Sequence, residues 1–182
     1  YEIFFTSSGS ESDNWAIKGT ALAKKEFGNH IITSSVEHAA VSNSVRALEN
    51  LGFRVTVLPV DKNGQVNPED LKEALDKETI LVSIMGVNNE IGTIQPIKAI
   101  SKVLENYPNV TFHVDNVQAL GKDVWDEVFT DRVDLMSLSA HKFHAPRGVG
   151  ILYKKEGKMI KPLIDGGGQE KALRSSTENL PA

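Results

Sequence analysis

The chain has 182 residues, of which 40% are hydrophobic and 24% are charged, and its formal net charge is −4. These proportions are ordinary for one globular domain and exclude a disordered chain, a collagen and a coiled-coil rod. The 20 basic and 24 acidic residues argue against a nucleic-acid-binding surface and against a basic membrane-surface protein. Apolar runs fall short of the roughly 18 residues that a membrane span needs, and no signal-peptide pattern opens the chain.

The chain has no cysteine, which excludes disulfide bonds and thiolate metal sites. Nothing in the composition points outside the cytosol, so a cytoplasmic location is expected. The chain begins without Met in what reads as a buried strand, and it stops at Leu180-Pro181-Ala182 without a closing element. We therefore expect a piece of a longer protein.

Short apolar runs alternate with helical patterns along most of the chain. The predicted strands are residues 3–6, 30–34, 54–59, 79–87, 111–115, 133–139 and 148–154. The predicted helices are residues 11–27, 38–51, 68–76 and 96–107. Pro68 and Pro96 suit a first helical turn, and Gly28 and Gly52 are predicted to be left-handed C-caps. The alternation predicts an α/β layered domain with a largely parallel sheet.

One composition break divides the chain. Gly166-Gly167-Gly168 predicts a loop that leaves the sheet, so we expect a domain over residues 1–165 and a tail over 166–182. In open sheets of this class, ligands bind beyond the carboxyl ends of the strands. Functional residues are therefore expected at those ends.

The first strand runs into Ser7-Ser8-Gly9-Ser10-Glu11, just before a helix. Glycine allows close approach of a ligand, and a helix start offers free N–H groups and hydroxyls to a phosphate. The alternative is an ordinary helix cap, in which Ser10 and Asp13 form a capping box. The segment by itself favours the cap.

Other polar residues fall at predicted strand ends. Asp115 follows one strand, and its carboxylate suits either a helix cap or a cationic ring nitrogen. Lys142 follows another, where partial desolvation would lower the pKa of its amine towards the nucleophilic range; the alternative is a solvated loop lysine. His141 and His144 lack a third metal ligand, so no metal site is expected.

Three further residues belong to this set. His38 begins a predicted helix, Asn89 follows the apolar run 79–87, and Gln118 follows Asp115. Each has a structural explanation when taken alone. Together the strand ends supply an anion site, a partner for a cationic ring nitrogen and an amine nucleophile. These are the groups that a protein must offer to pyridoxal 5′-phosphate.

The ordered motifs resemble the cysteine desulfurases of the class V aminotransferase family over nearly the whole chain. The motifs are residues 6–14, 36–38, 87–92, 112–118, 139–142 and 166–179. The resemblance implies pyridoxal-phosphate-dependent fold type I, in which residues 1–165 form a three-layer α/β/α large domain with a mostly parallel mixed sheet. Residues 166–182 would begin the portion that follows this domain.

The resemblance also implies a role for each candidate. Lys142 is expected to form the Schiff base with the cofactor and to carry a proton, and Asp115 to pair with the ring nitrogen. Gln118 and Asn89 match positions near the phenolic oxygen, Asn89 also near the substrate, and His38 matches the residue stacked on the ring, where it assists proton transfer. The remaining matches are to the phosphate: Gly9, Ser10, Ser139 and His141 in the same subunit, and Thr177 reaching the neighbouring subunit of a homodimer.

The implied reaction converts L-cysteine to L-alanine and an enzyme persulfide, whose sulfur passes to an acceptor protein for iron–sulfur clusters or tRNA thiolation. In the family, the nucleophilic cysteine and the arginine that binds the substrate carboxylate lie beyond the point where this sequence stops. The chain alone is therefore predicted not to desulfurate cysteine. Gly9-Ser10 and Asn116-Val117 also depart from the family pattern, which leaves the substrate less well defined than the cofactor.

Two alternatives remain open. The same cofactor groups serve a selenocysteine lyase or an aminotransferase for small amino acids. A cofactor-free interaction module is the other alternative, and in that case substitution of Lys142 has no effect.

Overall fold

Seven strands form one sheet in the computed structural model, which describes residues 1–180. They are β1 (Glu2–Thr6), β2 (His30–Ser34), β3 (Arg54–Leu58), β4 (Thr79–Met85), β5 (Thr111–Asp115), β6 (Leu135–Ser139) and β7 (Gly150–Lys154). Their spatial order is β1-β7-β6-β5-β4-β2-β3. Strands β3, β2, β4, β5 and β6 are mutually parallel, whereas β7 is antiparallel to both of its neighbours. The sheet is thus mixed and mostly parallel, as predicted.

Six α-helices accompany the sheet within residues 1–180: α1 (Gly9–Asn14), α2 (Thr20–Lys24), α3 (Ala39–Glu49), α4 (Pro68–Ala74), α5 (Ile97–Leu104) and α6 (Trp125–Val128). A π-helical turn over Trp15–Gly19 joins α1 to α2, and 3₁₀ turns cover Ala140–Phe143 and Gln169–Ala172. None of the helices in this described part has the length and apolar character of a membrane span.

The helices cover both faces of the sheet. On β4, Val82 and Ile84 belong to a core that includes residues of α4, α5 and α6. Leu81, on the opposite face, packs with residues of α2, α3 and the π-helical turn. This alternation follows from the two-residue period of a strand. The predicted three-layer α/β/α arrangement is confirmed.

Several predicted ends of strands and helices differ from the structure by two or three residues, and two further details are wrong. The predicted helix 11–27 is α-helical only in part, because of the π-helical turn, and its last helical residue is Lys24. Gly28 does not adopt the left-handed conformation expected of a C-cap, whereas Gly52 does, with a φ of 86°. Gly28 serves packing instead: a Cβ there would lie 2.3 Å from the carbonyl oxygen of Glu78.

An ion-pair cluster at the start of β6 supports the sheet at the edge opposite the strand ends that carry the candidate residues. The buried carboxylate of Asp134 accepts hydrogen bonds from Phe112 N at 2.9 Å and Arg132 Nη1 at 2.6 Å. Its other oxygen lies 3.0 Å from Lys158 Nζ. Arg132 in turn donates to the backbone carbonyls of Leu104, Tyr107 and Val110.

We expect Asp134→Ala to lower the free energy of unfolding by about 3–5 kcal/mol, because it leaves the Arg132 charge without its buried partner. Urea unfolding of the cofactor-free protein measures the difference. Asp131→Ala is the matched control, since that carboxylate is exposed nearby, and its effect should stay within about 0.5 kcal/mol. Equal losses in the two variants would contradict the importance of the cluster.

Candidate functional site

A cavity of about 290 Å³ lies at the carboxyl ends of the central strands. It is lined by the turn into α1, the residue before α3 and the segments that follow β4, β5 and β6. The structure brings nine of the ten predicted site residues to it: Gly9, Ser10, His38, Asn89, Asp115, Gln118, Ser139, His141 and Lys142. Thr177 is absent from its wall. The position agrees with the rule for ligands of open α/β sheets.

The turn into α1 is closed by Ser8 and Glu11, not by the predicted pair of Ser10 and Asp13. Ser8 Oγ accepts a hydrogen bond from Glu11 N at 3.2 Å, and the Glu11 carboxylate accepts one from Ser7 N at 2.7 Å. This arrangement is a variant of the capping box, shifted two residues towards the N-terminus, in which Glu11 accepts from the residue before the N-cap. Ser10 is therefore not consumed by the cap and stays in the cavity wall.

Gly9 brings the helix start against the loops after β5 and β6. A Cβ at this position would lie 2.8 Å from Val117 Cγ2 and 3.1 Å from the Cβ of Ser139. The first distance is shorter than real Cβ contacts, so a side chain here would require Val117 to shift. Ser8, Gly9, Ser10 and Ser139 together line one side of the cavity.

Asp115 supplies a buried carboxylate at the end of β5. Its Oδ1 accepts a hydrogen bond from Val117 N at 3.0 Å, so the predicted capping contact is present. Asp115 also lines the cavity, so one residue combines the two alternatives. Burial raises the pKa of the Asp115 carboxyl, and the Val117 bond opposes that rise.

Lys142 lies in the 3₁₀ turn that follows β6, and its side chain is exposed. Of the two alternatives for this lysine, the structure shows the solvated loop lysine and not the partly desolvated one. In the same turn, Ser139 Oγ lies 3.0 Å from His141 Nδ1, which links two of the predicted phosphate-side residues.

Three residues complete the rim. His38 caps α3 by accepting a hydrogen bond on Nδ1 from Ala40 N at 3.1 Å, which confirms it as a helix start. Its Nε2 takes no part in that cap. Gln118 Oε1 accepts from Lys122 Nζ at 2.8 Å, and Asn89 is exposed.

Thr177 lies in a second cavity, of about 610 Å³, between the tail and the edge strand β1. The tail is held to the turn into α1 by Arg174, whose Nε and Nη2 donate to the Glu11 carboxylate at 2.7 and 3.0 Å. The structure does not place Thr177 with the nine other residues. Its expected contact is with a neighbouring subunit, so its role stays a prediction, as does the domain division at residue 165.

Sequence reasoning missed the buried polar layer behind the cavity. Asp13 of α1 lines the cavity, and Glu37, next to His38, has a buried carboxyl oxygen without a hydrogen-bond partner in residues 1–180. From the sequence, Asp13 is explained equally well as the partner of Ser10 in a capping box. The sequence signal for Asp13 was therefore ambiguous, and Glu37 appeared only as part of the motif 36–38, without a role of its own.

Glu37 is a titrating group in this layer. Burial raises its pKa to about 8, although hydrogen bonds from Ser34 Oγ at 2.5 Å and Met85 N at 2.9 Å oppose the rise. An unfolded Glu ionises near 4.5, so the folded protein retains a proton that the unfolded chain loses. Stability therefore falls as the pH rises through this window.

We expect the stability of Glu37→Gln, relative to the unaltered protein, to increase as the pH rises from 5 to 8. At pH 8 the increase in the free energy of unfolding should reach about 3–5 kcal/mol. Urea unfolding of the cofactor-free protein at both pH values measures the change. Glu26→Gln, at an exposed position, is the matched control and should show no such trend. A difference for Glu37→Gln that is the same at pH 5 and pH 8 would contradict the buried proton.

The aminotransferase class-V family model matches residues 1–181. A NifS/IcsS protein homolog from Lactobacillus delbrueckii subsp. bulgaricus is 75% identical over 181 residues, which are 100% of this chain and 47% of that protein. The cysteine desulfurase IscS of Clostridium botulinum is 57% identical over 178 residues, covering 98% of this chain and 44% of the relative.

Solved structures of related proteins have the same fold as this chain. A NifS-like protein superposes with a TM-score of 0.92 at 46% identity, over 99% of this chain and 49% of the other. A structure described as SspA in complex with cysteine gives 0.89 at 42% identity, over 98% and 52% of the two chains. The chain spans about half the length of these proteins. The predicted resemblance to cysteine desulfurases and the predicted fold type are confirmed, and the chain belongs to the aminotransferase class-V family.

Proposed function

We propose that the protein carrying this chain is a pyridoxal-phosphate-dependent cysteine desulfurase. The observation that carries the proposal is the convergence of nine residues from five separate segments on one cavity. Class V aminotransferases and cysteine desulfurases depend in general on pyridoxal phosphate. The proposed substrate is L-cysteine, and the proposed products are L-alanine and a persulfide.

The groups present fit this cofactor. Gly9 lines the cavity at the helix start, and Ser10, Ser139 and His141 add hydroxyl and imidazole groups suited to a phosphate. Asp115 places a carboxylate in the same wall, where a cationic ring nitrogen is the complementary partner. Pyridoxal phosphate, when bound, supplies an electron sink for the substrate carbon.

The remaining roles are those that the resemblance to cysteine desulfurases implies, and the side-chain chemistry is compatible with them. Lys142 is the amine nucleophile for the aldehyde and then a proton carrier at Nζ. His38 holds its Nδ1 in the helix cap, which leaves Nε2 for proton transfer at the ring face. Gln118 and Asn89, on the rim, would hold the phenolic oxygen of the cofactor, and Asn89 also the substrate.

The sulfur must be accepted by a cysteine thiol. These 182 residues contain no cysteine and so cannot supply that thiol. During the reaction the C–S bond of the substrate breaks, a cysteine thiolate elsewhere in the protein takes the sulfur, and the product carbon gains a proton. We further propose a homodimer in which Thr177 reaches the partner's phosphate, a cytoplasmic location and a sulfur-acceptor protein for iron–sulfur cluster assembly or tRNA thiolation.

The test is to supply the whole protein with pyridoxal phosphate, L-cysteine and a thiol reductant, and to quantify L-alanine and sulfide. Equal amounts of both products are expected. L-alanine from selenocysteine alone would indicate a selenocysteine lyase, and amino transfer to a 2-oxo acid without sulfide would indicate an aminotransferase. Absence of all three activities, with no bound cofactor, would contradict the proposal and favour a non-catalytic interaction module.

A further inference from the structure

Asp13 is a buried acid that the proposed mechanism does not use. It lies in α1 with only 1% of its surface exposed, and its Oδ1 has no hydrogen-bond partner among the described residues. It also lines the cavity, in the same wall as Asp115. A buried carboxyl with an unsatisfied oxygen is costly, so its place beside the proposed ring-nitrogen site needs an explanation.

A neutral polar network surrounds Asp13. His113 of β5 hydrogen-bonds Ser83 Oγ through Nδ1 at 2.8 Å and Ser137 Oγ through Nε2 at 2.9 Å. The Nε2 atom also lies 3.7 Å from Asp13 Oδ1. Burial lowers the pKa of His113 to about 3, so its imidazole is neutral at physiological pH and supplies no positive charge to Asp13.

The buried titratable side chains around Asp13 are predominantly acidic. Asp13, near the end of α1, and Asp115, at the end of β5, line the same cavity, and the charges of Asp115 and Glu37 both act on Asp13. His38, His141 and Lys142 lie on the exposed side of the cavity. Within residues 1–180, neither aspartate forms an ion pair with a lysine or an arginine. Burial, and then the negative charge of Asp115, raise the pKa of Asp13 well above its ordinary range.

We propose that Asp13 holds a proton and acts as a neutral positioning residue, which leaves Asp115 as the single negative charge offered to the cofactor's ring nitrogen. Two carboxyls that share a buried site cannot both ionise cheaply, and the less solvated one keeps the proton. Asp13 then lines the cavity as a neutral group, and Asp115 carries the one negative charge. One carboxylate then matches one pyridinium cation.

This inference rests on the proposed function for the identity of the ligand. The protonation of Asp13, however, can be measured in the protein without any ligand. Infrared spectra of the cofactor-free whole protein, with ¹³C-labelled aspartate carboxyls, distinguish Asp13 from Glu37. At pH 7 we expect a protonated-carboxyl band of aspartate that is missing in Asp13→Asn. If Asp13→Asn instead loses an ionised-carboxylate band, Asp13 is charged in the unaltered protein and the proposal is overturned. If the variant does not fold, absence of any protonated aspartate band in the unaltered protein at pH 7 overturns it equally.

The positioning role is tested by pyridoxal phosphate dissociation constants at pH 7. Asp13→Asn keeps the shape and the neutral state, so its affinity should stay within about threefold of the unaltered protein. Asp13→Ala leaves His113 and Ser137 beside a void and should weaken binding about tenfold or more. Asp131→Asn, an exposed carboxyl far from the cavity, should change nothing.

The outcomes separate the two proposals. A tenfold weakening in Asp13→Asn would show that the charge of Asp13 matters and would overturn the neutral role. An unchanged affinity in Asp13→Ala would overturn the positioning role while leaving the desulfurase proposal standing. An unaltered protein that binds no pyridoxal phosphate would remove the proposed function, and the positioning role with it.

Discussion

We expect Lys142→Ala to lower L-alanine formation from L-cysteine by about 10⁴-fold or more, because the substitution removes both the nucleophile and the proton carrier. No other described lysine lines the cavity. The absorbance of protein-bound cofactor should change with the activity, since the covalent link to the protein is lost. Steady-state rates and the visible spectrum of the whole protein measure both effects.

Lys122→Ala is the matched control. Lys122 is also exposed and stands near the same rim, where its amine donates to Gln118. It lies outside the cavity wall, so its removal should change the rate by less than a few fold. Equal activity in Lys142→Ala and the unaltered protein would contradict the catalytic assignment.

We expect Asp115→Asn to have two effects of opposite sign. Without the carboxylate, the cationic ring nitrogen loses its buried partner, and pyridoxal phosphate affinity should fall by about 30-fold to several thousand-fold. In the cofactor-free protein the same change should raise stability at neutral pH. Burial raises the pKa of Asp115 above 3.8, so ionisation of the native carboxyl costs free energy as the pH rises above that value.

Equilibrium dialysis measures the affinity, and thermal unfolding of the cofactor-free protein measures the stability. Asp131→Asn, at an exposed carboxyl, controls for charge alone and should leave both quantities nearly unchanged. A loss of cofactor-free stability together with unaltered affinity would assign Asp115 a purely structural role.

Hydrophobic patterns predicted most of the fold because the central strands are buried on both faces. The predicted strands at His30–Ser34 and Thr111–Asp115 match the structure at both ends. Helix α6 escaped prediction, since its four residues are too few to show a helical period. Gly28 was misinterpreted because the same residue type serves a left-handed cap or close packing.

The candidate site was predictable where a residue with a reactive or charged side chain lies at the end of a predicted strand or just after it. Asp115 and Lys142 occupy such positions, and an ordered set of motifs linked them. Asp13 and Glu37 could not be found in this way, because their significance comes from burial that only the folded chain creates. An Asp four residues into a helix gives no sign that it will lie beside Asp115.

The cofactor assignment is the central claim, and borohydride trapping tests it most directly. The whole protein is incubated with pyridoxal phosphate, reduced, digested and analysed by mass spectrometry. We predict a stable label on the peptide that contains Lys142, and its loss in Lys142→Ala. A label spread over exposed lysines, or concentrated at another lysine, would contradict the site described here.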